Sequence, residues 1–276
     1  GASGPMPELP EVETTRRGVE PHLVGRTINR MVVRDARLRW PIPDALPAWA
    51  QDQVIVRVER RSKYLFLVLE RGTVLVHLGM SGSLRILLDD LTPTKHDHVD
   101  LELDNGTRLR YHDPRRFGLW LYTETDVHSH RLIENLGPEP LTDAFDFDYL
   151  YPRTRKRKTK IKTLLMDAKL VVGVGNIYAN EALFLSGITP HKLAGRLTKA
   201  ECRSLVSNVK SLLAMAINQG GTTLKDFVGA DGKPGYFAQS LNVYGRAGLP
   251  CRRCATLIKE VRTNNRSTCY CHQCQS

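Results

Sequence analysis

The sequence predicts a multidomain α+β protein, with a leading helix and an N-terminal β-sandwich, then a helical domain, then a small C-terminal cysteine module. Three observations predict it. Short segments rich in β-branched and aromatic residues crowd positions 28–124. From about residue 130 the apolar residues recur at helical rather than alternating spacing. Five of the six cysteines fall in the last 26 residues. Length alone, at roughly 150 residues per domain, allows about two domains; with the small cysteine module added, the expected domains are 7–130, 131–240 and 241–276.

PELPEVETTRRGVEPHLVG reads as a short helix. Pro10 suits its first position, and Glu8, Glu11 and Glu13 suit its positive end. Val12, Val19 and Leu23 supply a partial apolar stripe, and Pro21 should stop the helix. TINRMVV, DQVIVRV, KYLFLVLE, TVLVHLG, SLRIL, HVDLELD and RLRYHD read as strands, with Asn105-Gly106 as a hairpin turn. No glycine-rich nucleotide loop interrupts them, so a sandwich is expected rather than a dinucleotide fold. DVHSHRLIENL, LTDAFDFDYLY, TKIKTLLMD, NIYANEALFLSG and TKAECRSLVSNVKSLLAMAINQG read as helices. In the last, Cys202, Leu205, Val209, Leu212, Leu213 and Ala216 form one face. Gly187 and Gly220 are suitable stops. Residues 221–240 read as a glycine-rich polar loop.

Composition narrows the function. At 41% hydrophobic and 25% charged the chain is neither fibrous nor wholly disordered. No run of 18 apolar residues could span a bilayer. Forty basic against 29 acidic residues leave a charge of +11, which implies an anionic partner without choosing among DNA, RNA and an acidic membrane face. The first residues lack the basic and apolar regions of a signal peptide. Gly1–Pro5 read as an expression scar, with the natural start at Met6. A reducing compartment and a local metal site are expected.

Cys251-x2-Cys254 and Cys271-x2-Cys274, 16 residues apart, can enclose one tetrahedral ion with four thiolates. Four sulfurs favour zinc, with iron as second choice. Full coordination makes the site structural, and metal must supply much of the folding energy of so small a module. Between the pairs, two short strands should turn at Asn264-Asn265. Cys269 breaks the spacing and is expected in the module's core, as Cys202 is in its helix.

Several segments suit phosphate or base contact, and each has a plainer alternative. PRTRKRKTKIK (152–162) carries seven basic residues, Lys158 among them, and is either a phosphate-binding segment or a solvated linker. KLVVGVGNIYANE places two glycines and Asn176 before a helix, where backbone N–H groups can cradle phosphate, although its valines could simply be core. Met80 in HLGMSG, and Arg115 and Phe117 in DPRRFG, stand in turns from which long side chains could enter a base stack. Core packing is the alternative for Met80.

Together, Pro7-Glu-Leu-Pro-Glu-Val-Glu13, HLGMSG, DPRRFG, VGVGNIYANE and the four-cysteine finger resemble the bacterial formamidopyrimidine-DNA glycosylase family. The resemblance runs from Pro7 to Gln275. Leu9, Met80, Arg115 and Phe117 favour its oxidised-purine branch over the endonuclease VIII-like branch, which would show Gly at position 9. It implies a β-sandwich, a helix–two-turns–helix domain and a zinc finger, with DNA in the cleft between the halves.

It further implies excision of 8-oxoguanine and formamidopyrimidines, then cleavage at the abasic site. Pro7 would be the nucleophile once the initiating Met is removed, and Glu8 the acid and base, with Glu11 in support. Lys63, Asn176 and Arg266 would hold phosphates beside the lesion. Met80, Arg115 and Phe117 would fill the gap left by the extruded nucleotide, Arg115 facing the orphaned cytosine. The loop Thr222–Tyr236, with Thr222, Thr223 and Tyr236, would close over the everted base. The implied partner is damaged double-stranded DNA, bound by a monomer in the bacterial cytoplasm, at the nucleoid. A free α-amine titrates near pH 8, so such a nucleophile is partly unprotonated at neutral pH. Behind Met6, however, the Pro7 nitrogen is in a peptide bond, and a chain keeping residues 1–6 is expected to bind damaged DNA without cutting it through proline. The alternatives are an endonuclease VIII-type enzyme for oxidised pyrimidines, a non-catalytic zinc-finger DNA-binding protein, and an RNA-binding protein.

Overall fold

The computed structural model describes residues 6–220, 241–263 and 265–276, in two compact units. In the first unit, α1 (Leu9–Leu23) precedes eight strands: β1 (Ile28–Val33), β2 (Ile55–Arg61), β3 (Tyr64–Leu69), β4 (Gly72–His77), β5 (Ser83–Leu87), β6 (Asp97–Leu103), β7 (Arg108–His112) and β8 (Leu119–Thr123). They form two antiparallel sheets, ordered β1-β6-β7-β5 and β2-β3-β4-β8. Leu65, Leu67, Val74 and Val76 of one sheet share a core with Ile28, Ile86, Val99 and Leu109 of the other. The sandwich is as expected. α1 closes it, resting on β2 and β5.

Three local expectations differ. Helix α1 runs two residues beyond Pro21. Pro21 is exposed, and the extra half-turn carries Leu23 into the core. Leu9, not Pro10, takes the first helical position, with Glu8 as N-cap. DVHSHRLIENL forms only a single 3₁₀ turn, Val127–Ser129. Its buried residues, Val127 and Ile133, are six apart and would stand about 120° apart around an α-helix, forming no buried stripe. β8 and the five-residue α2 (Leu46–Ala50) come in addition to the expected elements.

The second unit contains α3 (Phe147–Thr154), α4 (Ile161–Leu165), α5 (Asn176–Leu185), most of α6 (Lys199–Gly220) and the hairpin of β9 (Lys259–Thr263) and β10 (Arg266–Tyr270). α5 is buried from Ile177 to Phe184 and packs against α4 and β10. Gly187 follows it at φ +69°, a left-handed stop that glycine adopts without a Cβ penalty.

The charge of the sandwich is organised by pairing. Arg110 and Asp100, both fully buried, form two 2.8 Å hydrogen bonds, and Arg34 adds a third at 2.6 Å. Burial pushes the Asp100 carboxyl up, but the two guanidinium groups hold it well below the usual range. Removing one partner leaves a buried carboxylate poorly compensated. Arg110→Met is expected to cost about 3–5 kcal/mol in urea unfolding, with most of the loss recovered when Asp100→Leu is added.

Candidate functional site

The start of α1 is a reciprocal cap. The Glu8 carboxylate accepts from the Glu11 backbone, and Glu11 Oε1 accepts from Glu8 N–H at 2.9 Å. Both side chains are buried, so the residue after Pro7 is held in one conformation. Two residues beyond Glu11, Glu13 binds Arg16, Arg17 and Arg60. Burial pushes the Glu13 carboxyl up, and the arginines, Arg16 foremost, bring it below its ordinary value. Arg60 also donates to Ser62 O at 2.8 Å. Ser62 and Lys63 form the two-residue turn joining β2 to β3, Ser62 at φ +57°. The Glu13–Arg60 pair therefore ties α1 to the turn that carries Lys63.

Met80, Arg115 and Phe117 stand exposed, which removes the core-packing alternative for Met80. Their turns are joined beneath by one buried carboxylate. Asp113 Oδ1 accepts from Ser81 Oγ at 2.7 Å and Arg116 N–H at 3.2 Å, and Oδ2 from Gly118 N–H at 2.9 Å and the Tyr111 hydroxyl. Ser81 Oγ in turn accepts from Arg115 N–H at 2.9 Å. Gly118 makes the approach possible, since a Cβ there would lie 2.0 Å from the Tyr111 oxygen. Arg116, at φ +61°, is held from outside by Asp35 at 2.8 Å. The Arg115 guanidinium lies 5.3 Å from the Phe117 ring centroid.

His77, unassigned from sequence, completes this group. Its Nδ1 accepts from Gly79 N–H at 2.9 Å. Burial foremost, then the charges of Lys63 and Arg39, lowers its pKa to about 4 despite Asp113.

In the second unit, Arg157, Lys160, Lys162, His191, Arg266 and Thr268 line a cavity of about 550 Å³. Arg157 lines it, whereas the expected Lys158 is exposed and is not among its lining residues. Asn176 opens α5 after the Gly175 N-cap and donates to Ser267 O at 3.0 Å, next to Arg266. Glu181, also missed from sequence, accepts backbone N–H groups from Asn242, Val243 and Tyr244. Burial raises its pKa against the lowering by those bonds. Thr222, Thr223 and Tyr236 lie outside the described residues.

Cys251, Cys254, Cys271 and Cys274 place all four sulfurs within 4.8 Å of one another, with Cys251–Cys274 at 3.8 Å and Cys254–Cys271 at 3.5 Å. Tetrahedral zinc–thiolate bonds of about 2.3 Å put sulfurs roughly 3.8 Å apart. The set fits zinc, and Arg253 and Cys274 N–H groups donate to Cys251 and Cys271 sulfurs. Cys269 and Cys202 are buried, as expected of core residues.

Family models for the formamidopyrimidine-DNA glycosylase N-terminal domain, its H2TH domain and the zinc finger found in FPG and IleRS match residues 6–120, 136–228 and 248–276. The chain belongs to the formamidopyrimidine-DNA glycosylase family. It is 58% identical over 270 residues to formamidopyrimidine-DNA glycosylase of Escherichia coli, covering 98% of this chain and 100% of that protein. The crystal structure of the MutM (Fpg) protein of Thermus thermophilus is 40% identical, with a TM-score of 0.84 and 98% of each chain covered. Lactococcus lactis Fpg, solved in complex with abasic-site DNA, is 33% identical, with a TM-score of 0.89, covering 98% of this chain and 99% of that one.

For this family member two outcomes are expected. A histidine whose pKa falls from 6.5 to about 4 on folding contributes in full above pH 6.5 and loses that contribution as pH drops toward 4. Between pH 7 and 4, wild type should lose up to about 3 kcal/mol more than His77→Asn in urea midpoints. Cys271→Ser should lower zinc below one ion per chain and abolish amide-exchange protection across the hairpin while sparing the sandwich.

Proposed function

We propose that this chain is a bifunctional DNA glycosylase and abasic-site lyase of base excision repair, acting on 8-oxoguanine and formamidopyrimidines in duplex DNA. The observation that carries it is Pro7 directly preceding Glu8, the buried N-cap of α1, on a helix tied to the Lys63 turn. Once processing exposes Pro7, its imino nitrogen bonds to the sugar C1′ and gives up its proton. The bond from C1′ to the base breaks, and the base leaves with the bonding pair and a proton. Glu8 protonates the ring oxygen, the sugar opens, and an iminium remains on Pro7. The iminium acidifies C2′, and loss of that proton expels the 3′ phosphate. Loss of the C4′ proton then expels the 5′ phosphate, and water releases the sugar fragment from Pro7.

Lys63, Asn176, Lys158 and Arg266 serve as phosphate contacts, which carry affinity but no sequence information. Met80, Arg115 and Phe117 occupy the gap left by the extruded nucleotide, Arg115 reading the opposite base. Thr222, Thr223 and Tyr236 belong to the loop that covers the lesion. The enzyme works as a monomer at the bacterial nucleoid; no helix among the described residues is long and apolar enough to cross a membrane. Zinc, held by the four cysteines, takes no part in the chemistry and keeps the hairpin carrying Arg266 folded.

Protein processed to begin at Pro7, mixed with an 8-oxoguanine duplex and borohydride, should give one trapped covalent adduct, and Pro7→Gly should bind but cleave far more slowly. The chain still beginning at Gly1 should bind without trapping. An adduct on that uncleaved chain would overturn the mechanism. Preferential excision of thymine glycol over 8-oxoguanine would move the substrate to oxidised pyrimidines.

A further inference from the structure

Asn180 lies one turn along α5 from Asn176 and is almost wholly buried. Asparagine inside a helix is mildly unfavourable, because its carboxamide competes for backbone partners. Here the carboxamide bonds both back along α5 and outward to β10. Nδ2 donates to Asn176 O at 2.7 Å and to Ser267 O at 3.2 Å, while Oδ1 accepts from Cys269 N–H at 2.9 Å.

Ser267 and Cys269 are alternate residues of β10, so their C=O and N–H lie on one strand edge. That edge faces away from β9, which pairs with β10 on the other side. One acceptor and one donor at this spacing are what a neighbouring strand would satisfy. Asn180 supplies both from a single side chain, so a helix takes the place of a third strand. The Ser267 carbonyl is also the target of Asn176 Nδ2 at 3.0 Å and Lys162 Nζ at 3.4 Å, and Lys162 reaches Thr268 Oγ1 at 2.7 Å. Three donors from α4 and α5 thus converge on the carbonyl of the residue that follows Arg266.

We propose that Asn180 is a positioning residue that sets the place of Arg266 relative to Asn176, and that it acts on DNA binding only through Arg266. Arg266 itself is exposed at the first position of β10. Its backbone pairs with Thr263 of β9, and the strand it opens is held on its other edge by Asn180. The proposal rests on the reading of Arg266 as a phosphate contact.

The test uses zinc-loaded protein and a duplex carrying a tetrahydrofuran abasic analogue, with Kd measured across a salt series. Arg266→Ala should lower affinity and reduce the slope of log K against log salt by about 1. Asn180→Asp keeps the acceptor for Cys269 N–H and turns the donor into an oxygen facing two carbonyls. It should reproduce the slope change with zinc still at one ion per chain, and Asn180→Asp with Arg266→Ala should lose no more than Arg266→Ala alone. Asn180→Ser, which can still donate to Asn176 O but reaches neither strand group, should behave alike if the aspartate variant does not fold. A lowered Tm with the salt slope of wild type, or additive losses in the double variant, would overturn the proposal by leaving Asn180 a purely structural role. An unchanged slope in Arg266→Ala would instead sink the phosphate assignment beneath it.

Discussion

One buried carboxylate accepting four hydrogen bonds holds the exposed machinery of the sandwich in place. Asp113 draws in Ser81, Arg116, Gly118 and Tyr111, and so binds the Met80 turn to the Arg115–Phe117 turn. Met80 and Phe117 are exposed, so their own burial cannot hold them in place. The rigidity has to come from beneath, from polar groups whose desolvation is fully compensated. The raised pKa of Tyr111, driven by burial and by the Asp113 charge, keeps that hydroxyl a donor throughout the working pH range.

The same logic divides the charges. Asp100 with Arg110 and Arg34, Glu13 with Arg16 and Arg60, and Asp35 with Arg116 are internal ties whose arginines are committed to carboxylates. A surplus of +11 remains on the chain. Much of it lies in 152–162 and around the cavity lined by Arg157, Lys160, Lys162 and Arg266, where no carboxylate but Asp167 stands among the lining residues. Such a surface would meet a polyanion at little desolvation cost, because exposed cations remain hydrated until counterions are exchanged.

The second unit solves a different problem, which is fastening a module with scarcely any core. Zinc closes it from within. From outside, the buried polar residues of α5 grip it: Glu181 holds three backbone N–H groups at 242–244, and Asn180 holds the edge of β10. α5 is a helix buried along nearly its whole length, so its few polar side chains must find partners in neighbouring segments, and those partners are the backbone of the zinc module.

The sequence by itself determined the sandwich strands, the helices after residue 130, the four-cysteine site and the stretches around Pro7, Met80, Arg115 and Asn176. Each of these is written in residues close together in the chain, where periodicity, capping and ligand spacing act. Only the tertiary structure decided that Ser81 meets Asp113 across 32 positions, that Asn180 reaches Ser267 across 87, and that Arg157 rather than Lys158 lines the basic cavity. It also decided that Val127 and Ile133 would hold a turn instead of a helix. The physical reason is that a buried polar group takes whatever partner the folded chain brings within hydrogen-bond reach, and no local pattern records which one that is.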